Sequence, residues 1–187
     1  MGDRQRIDEI AQHVAEILKR LRLDAREDPE LEETPQRVAE FYLDVFQAVD
    51  APAPKLNFIE RPSSAEELIL VRDLPFYSLC VHHLVPFFGY GHIGYVPGTK
   101  IVGFNGLARV LRYFAGRPQL QERLTAQVAD YLQRALQPRG LIVMLRARQF
   151  CLEMRGERLP GWIETTAAHG VLQTGPRRDE FFLRLRT

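Results

Sequence analysis

Cys80, His82 and His83 stand inside the otherwise apolar run Ser78-Leu-Cys-Val-His-His-Leu-Val-Pro86, where a buried imidazole is costly unless it has a partner. Cys80 and His83 lie three positions apart, a spacing that lets a turn aim a thiolate and an imidazole at one ion. In a regular strand Cys80 and His82 would share a face and His83 would point away, so convergence of Cys80 with His83 requires the backbone to turn there. A tetrahedral site needs at least one more ligand, and the only other cysteine is Cys151. Two cysteines, one histidine and a water make an open site of the catalytic type rather than a closed structural one. Simple burial of a small thiol, or a satisfied imidazole, accounts for any one of these residues taken singly. The histidine pair beside the cysteine is what favours the metal.

At the second cysteine, Gln149, Cys151, Glu153 and Arg155 alternate with Phe150, Leu152 and Met154. This pattern reads as a strand that buries one face and leaves polar groups on the same side as Cys151.

Such a site must be positioned by the elements around it. From Arg6 to Leu23 the residues Ile7, Ile10, Val14, Ile17, Leu18 and Leu21 recur at three- and four-residue steps, which predicts an amphipathic helix. Thr34-Pro35 followed by Val38, Phe41, Tyr42, Val45 and Phe46 predicts a second helix ending near Gln47. Residues 1–62 form an N-terminal helical region on this reading, closed by the turn Asp50 to Pro54. After Ser63 come short segments rich in branched and aromatic residues: Leu68 to Leu74, Phe87 to Tyr95 and Lys100 to Phe104. Gly98 marks a hairpin between the second and third. Leu107 to Phe114 and Leu120 to Leu136 have helical periodicity, interrupted at Arg117-Pro118. Pro138-Arg-Gly140 ends the second of these, Leu141 to Met154 reads as a strand, Ile163 to Leu172 as another, and Phe181 to Leu185 as an apolar terminal segment. Residues 63–187 are therefore expected to be one α+β domain with a largely antiparallel sheet.

Lys plus Arg (25) nearly balances Asp plus Glu (24), so the charge of +1 argues against a protein that coats nucleic acid. No apolar run reaches membrane-spanning length and the charged start MGDRQRIDEI lacks a signal-peptide core, which predicts a cytoplasmic protein with no membrane partner. Two cysteines in a reducing compartment build no disulfide framework.

The runs FYSLCVHHLVPFFGYGHIGYVPGTKIVG, GRPQLQERLTAQVADYL and CLEMRG, together with ETPQRVAEF near the front and RRDEFFLRL at the end, resemble the GTP cyclohydrolase I family. That resemblance implies the tunnelling fold, an antiparallel sheet with two helices on one side, here preceded by the N-terminal helices. It also implies a homodecamer of two pentamers with active sites between subunits. By the same resemblance Cys80, His83 and Cys151 match zinc ligands, and His82 matches the histidine that handles protons. Gln121 and Glu122 match the region that holds the guanine ring, and Arg109 and Arg155 match arginines that bind the triphosphate. The implied chemistry is hydrolytic opening of the GTP imidazole ring at C8, yielding formate and 7,8-dihydroneopterin triphosphate, an early step of pterin and folate synthesis.

Four positions depart from the family pattern. Val81 stands where a glutamate is usual, and Gln149 where a second catalytic histidine is usual. Phe104-Asn105-Gly106 replaces Leu-Ser-Lys, so a phosphate-binding lysine is missing and Asn105 takes the serine position. The segment ERLPGWIETTAAHG replaces a threonine- and serine-rich stretch. Beside GTP conversion, these departures leave open a less phosphorylated purine substrate, a reaction that stops at the ring-opened formamide, and a non-catalytic zinc protein that binds a purine or pterin.

Overall fold

A computed structural model of the chain describes residues 2–60, 67–156 and 158–186. These form two compact units that meet in sequence at Val49 and Asp50. The boundary expected at 62/63 lies outside the described residues.

The first unit holds α1 (Asp3–Arg20) and α2 (Thr34–Val45), which pack on one another, joined through a single 3-10 turn at Pro29–Leu31. The side chain of Asp28 caps that turn by accepting from the Glu30 N–H. Pro35 enters α2 in its first turn, where its missing N–H costs nothing.

The second unit is built on a five-stranded sheet of β2 (Ile69–Cys80), β3 (Pro86–Val96), β5 (Pro118–Gln119), β6 (Gly140–Gln149) and β7 (Ile163–Gly170). Its order is β5-β2-β3-β6-β7, antiparallel throughout except for the short parallel pair β2–β5. Side chains alternate across it. Phe76, Ile93, Tyr95, Leu141, Val143 and Leu145 face one way and are buried under α3 (Phe104–Ala115) and α4 (Gln121–Leu136), which contribute Leu107, Val110, Leu111, Leu124, Val128 and Leu132. This is the α+β arrangement expected, with two helices on one side of an antiparallel sheet. Helix α4 stops where Gln137 takes a left-handed conformation (φ 50°) just before Pro138.

Three elements differ from expectation. Lys100–Val102 (β4) does not form a hairpin with β3; it pairs antiparallel with β1 (Phe58–Glu60), in a separate two-stranded ribbon. Each strand has only three residues, too few for their pairing across forty positions to show in a hydrophobic pattern. The strand expected to run to Met154 ends at Gln149, and Phe150–Glu153 is a helical turn, α5. The apolar terminal segment is a helix, α6 (Pro176–Leu185), which covers the opposite face of the sheet with Phe181 against Val96, Ile142 and Leu172. Gly94 makes room for it: a Cβ there would stand 2.7 Å from the Phe181 ring.

Candidate metal centre

The end of β2 and the start of β3 are joined by a tight turn that begins and ends on Cys80. Its N–H donates to the Val85 carbonyl (2.9 Å), while His83 and Leu84 N–H groups donate back to the Cys80 carbonyl (3.3 and 2.8 Å). Leu84 takes a left-handed conformation (φ 50°) to complete the reversal. The backbone thus turns as convergence required, and Cys80 Sγ and His83 Nδ1 lie 3.8 Å apart. The turn is anchored from outside by β5, whose Gln119 carbonyl accepts the Val81 N–H (2.9 Å).

Cys151 arrives from the far end of β6. The sequence alternation around it mimics a strand, yet the chain coils there, with the Met154 N–H donating to the Phe150 carbonyl (3.0 Å). Two contacts hold the coil: the Phe150 ring meets Phe88 edge-on at 5.3 Å, and the Glu153 carboxylate accepts from the Arg148 guanidinium (Nε to Oε1, 2.9 Å). The ligand atoms of Cys80, His83 and Cys151 all lie within 4.8 Å of one another. A tetrahedral zinc, about 2.3 Å from sulfur and about 2.0 Å from nitrogen, sets neighbouring ligand atoms roughly 3.5–3.8 Å apart, so this group fits one with small adjustment. The donor set points the same way. Two thiolates and an imidazole suit zinc, whereas magnesium and calcium take oxygen.

Electrostatics reinforce the fit. Burial pushes the Cys151 thiol above its ordinary pKa, Cys80 beside it pushes further, and Arg155 pulls only weakly the other way. Two sulfurs this close resist carrying charge together; a cation between them removes the conflict, because a coordinating thiol is deprotonated outright.

His82 is exposed, and its ring stands at 83° to that of His83 with centroids 6.1 Å apart. Gln149, half-buried at the end of β6, donates its amide to Gln121 Oε1 at 2.7 Å. Gln121 is buried at the start of α4, with its own amide nitrogen donating to the carbonyls of Leu145 (3.1 Å) and Ile163 (2.9 Å). Gln149 faces a small cavity of about 180 Å³ walled by Leu152, Leu159 and Trp162. Glu122, Asn105, Arg109 and Arg155 are exposed, and Arg109 donates to the Lys55 carbonyl (3.0 Å). Among the described residues, no hydrogen bond or ion pair joins Asn105, Arg109 or Glu122 to the Cys–His–Cys group. A cavity of about 510 Å³ lies wholly in the helical unit, lined by residues such as Leu18, Leu31 and Pro35, and holds none of these groups. Concavity there is a gap between helices, without convergent ligands.

Gln119 has a positioning role that sequence reasoning did not single out. Its side chain is buried and donates to the Phe114 carbonyl and to Gln127 Oε1 (both 2.8 Å), which fixes the backbone carbonyl that receives Val81. Its one sequence signal was the neighbouring Pro118, read only as a helix break.

Residues 10–186 match the family model described as GTP cyclohydrolase I. A protein of Geobacillus sp. called GTP cyclohydrolase 1 is 48% identical over 166 residues, covering 85% of this chain and 88% of the relative. One of the same name from Halalkalibacterium halodurans is 47% identical over 164 residues, 86% of each. A solved structure described as the archaeosine synthase QueF-Like in the apo form aligns with a TM-score of 0.43 at 16% identity, covering 63% of this chain and 100% of its own.

Proposed function

The chain belongs to the GTP cyclohydrolase I family, and from that premise we propose that it is a zinc-dependent hydrolase that opens the imidazole ring of GTP or a related guanine nucleotide at C8. The observation that carries this reading is the convergence of Cys80, His83 and Cys151 within 4.8 Å of one another. Those three residues would hold the metal, which when bound would supply Lewis-acid chemistry and activate a water near neutral pH.

The remaining work falls to the chain's own side chains. Purine C8 lies between two nitrogens and becomes electrophilic when N7 is protonated, so an acid must stand beside the nucleophile. His82 has that role: it is adjacent to a ligand, exposed, and of a residue type that gives or takes a proton near neutrality. Glu122 accepts hydrogen bonds from the guanine N–H and exocyclic amine, while Arg109 and Arg155 pair with phosphate oxygens and Asn105 donates to them. Attack at C8 opens the ring to a formamide, and a second hydrolysis releases formate. Because among the described residues no hydrogen bond or ion pair joins Arg109 or Asn105 to the Cys–His–Cys group, a homodecamer in which neighbouring subunits complete each site accounts for their separation. Among the described residues no helix is long and apolar enough to cross a membrane, and the cytoplasm, with its nucleotide pool, is the proposed location.

One observation favours a narrower reading. Gln149 is an amide held by another amide, and an amide cannot exchange a proton near neutral pH. The second hydrolysis is therefore slow relative to ring opening, and the missing lysine beside Asn105 favours fewer phosphates. Incubating zinc-reconstituted protein with GTP, GMP and guanosine, while following formate and pterin fluorescence, tests both readings. Formate with pterin fluorescence supports full turnover, ring-opened product without formate supports the narrower reading, and no ring opening of any of the three removes the hydrolase assignment for these substrates.

A further inference from the structure

We propose that the sheet face turned away from α3 and α4 carries a second binding site, separate from the Cys–His–Cys group, for a small organic carboxylate with an apolar or aromatic body. A cavity of about 460 Å³ lies between that face and the end of α6, within the range that small-molecule sites occupy. His92 lines it and is only 9% exposed.

The backbone around His92 is unusual. The register of β2 against β3 shifts between Val71 and Leu74, so Arg72 and Asp73 together stand opposite His92 in a β-bulge. Asp73 adopts φ 57°, strained for a residue other than glycine. Its N–H, turned out of the ladder, donates to His92 Nδ1 at 3.3 Å, while its carboxylate stays 4.0 Å from that nitrogen. Burial first, then the Arg72 and Arg146 guanidinium groups, hold the imidazole neutral against the pull of Asp73 and Glu164. A neutral ring that accepts at Nδ1 carries its proton on Nε2. Among the described residues nothing accepts that proton, and Nε2 is not a sealed atom. The bulge therefore presents a fixed donor, on a side chain only 11% exposed, to the cavity.

The rest of the lining sets the ligand class. Arg146 and Arg186 bring positive charge, and Asp73 and Glu164 offset it, with Arg146 already 3.5 Å from Glu164. With Arg146 committed to Glu164 and the Asp73 side chain 69% exposed to solvent, Arg186 and the His92 N–H remain to hold one carboxylate, which leaves no second cation for a phosphate dianion. Met144, Phe182 and Leu185 supply an apolar wall, which needs an apolar body to cover it.

The test uses the zinc-loaded protein with benzoate as probe, and benzylamine and inorganic phosphate as comparators, in titration calorimetry. The expected result is saturable binding of one benzoate per chain. His92→Leu and Arg186→Gln should each weaken it by about tenfold, with His92→Gln, which keeps an N–H, close to wild type. Ring ¹H–¹⁵N spectra of the five histidines locate the ligand: the His92 Nε2–H signal should move on adding benzoate. Absence of saturable binding, equal binding of phosphate or benzylamine, or shifts confined to His82 and His83 would overturn the proposal. Because Arg186 is exposed beyond the end of α6, its variant keeps the test decisive even where His92→Leu fails to fold.

Discussion

Gln149 Nε2 donates to Gln121 Oε1 at 2.7 Å, and the orientation of that bond follows from its surroundings. Gln121 must point its own amide nitrogen at the carbonyls of Leu145 and Ile163, so its oxygen is the only end left for Gln149. Gln149 in turn keeps its nitrogen toward Gln121. An amide so held offers the site no mobile proton. Gln149→His restores an exchangeable proton there and should raise formate release by about a hundredfold to ten-thousandfold, the usual worth of one general acid or base. Single-turnover assays with GTP check it; an unchanged rate would show that proton transfer at this position does not limit the reaction.

The same relationship predicts a stability effect at Gln121. Replacing it with leucine leaves the Leu145 and Ile163 carbonyls without their donor in a buried setting, at a cost of about 1–3 kcal/mol. Gln121→Glu is worse, because a carboxylate brings charge toward two carbonyl oxygens. Urea unfolding at pH 7.5 measures both, and the order wild type, leucine, glutamate is the expected decline.

Metal content gives the third prediction. Purified protein should carry about one zinc per chain, and Cys80→Ser, His83→Ala or Cys151→Ser should each lower the content well below that, as read by inductively coupled plasma mass spectrometry. His82→Ala should keep its zinc and lose ring-opening activity. Zinc retained at full stoichiometry in Cys151→Ser would remove Cys151 from the ligand set.

Much of this architecture was legible because its signals are long. Helices α1 and α4 have eighteen and sixteen residues of steady periodicity, and packing of their apolar stripes agrees with local propensity. The two cysteines were equally visible, since each stands out chemically from its neighbours. What stayed hidden was short or ambiguous. Phe150, Leu152 and Met154 alternate with polar residues as in a strand, but an aromatic contact to Phe88 and an ion pair to Arg148 coil the chain instead. Those contacts come from tertiary placement, which period counting does not see. In α6 the apolar residues Phe181, Phe182 and Leu185 are too few to separate a helix from a terminal strand. The Gln121–Gln149 bond joins residues twenty-eight apart, and only the register of α4 against β6 reveals it.

Two glycines of β3 separate soft from hard packing. At Gly94 a Cβ meets the ring of Phe181 at 2.7 Å, and α6 can shift to relieve it. Gly94→Ala should therefore fold and lose about 1–3 kcal/mol, the usual cost of overpacking. At Gly89 a Cβ would fall 1.9 Å from the Arg146 carbonyl oxygen, in the backbone of the neighbouring strand. Gly89→Ala can be accommodated only by breaking β3–β6 pairing, so it should yield little folded protein. Soluble expression and circular dichroism distinguish the two, and a normally folded Gly89→Ala would contradict the strand register described above.

His92 makes stability depend on pH, with a sign that burial dictates. Its folded-state pKa lies below the ordinary histidine value of 6.5, through burial first, with Arg72 and Arg146 adding and Asp73 and Glu164 opposing. Below that ordinary value the unfolded chain takes up a proton that the folded chain refuses, so the unfolded state binds more protons and stability rises with pH. The contribution is fully present above about pH 6.5, and is lost as pH falls from there toward the folded pKa. Melting temperatures of wild type and His92→Gln between pH 8 and pH 5 isolate it, because the variant cannot titrate at this position. Wild type should lose more on acidification than the variant; parallel curves would mean that His92 is as easily protonated in the fold as in water.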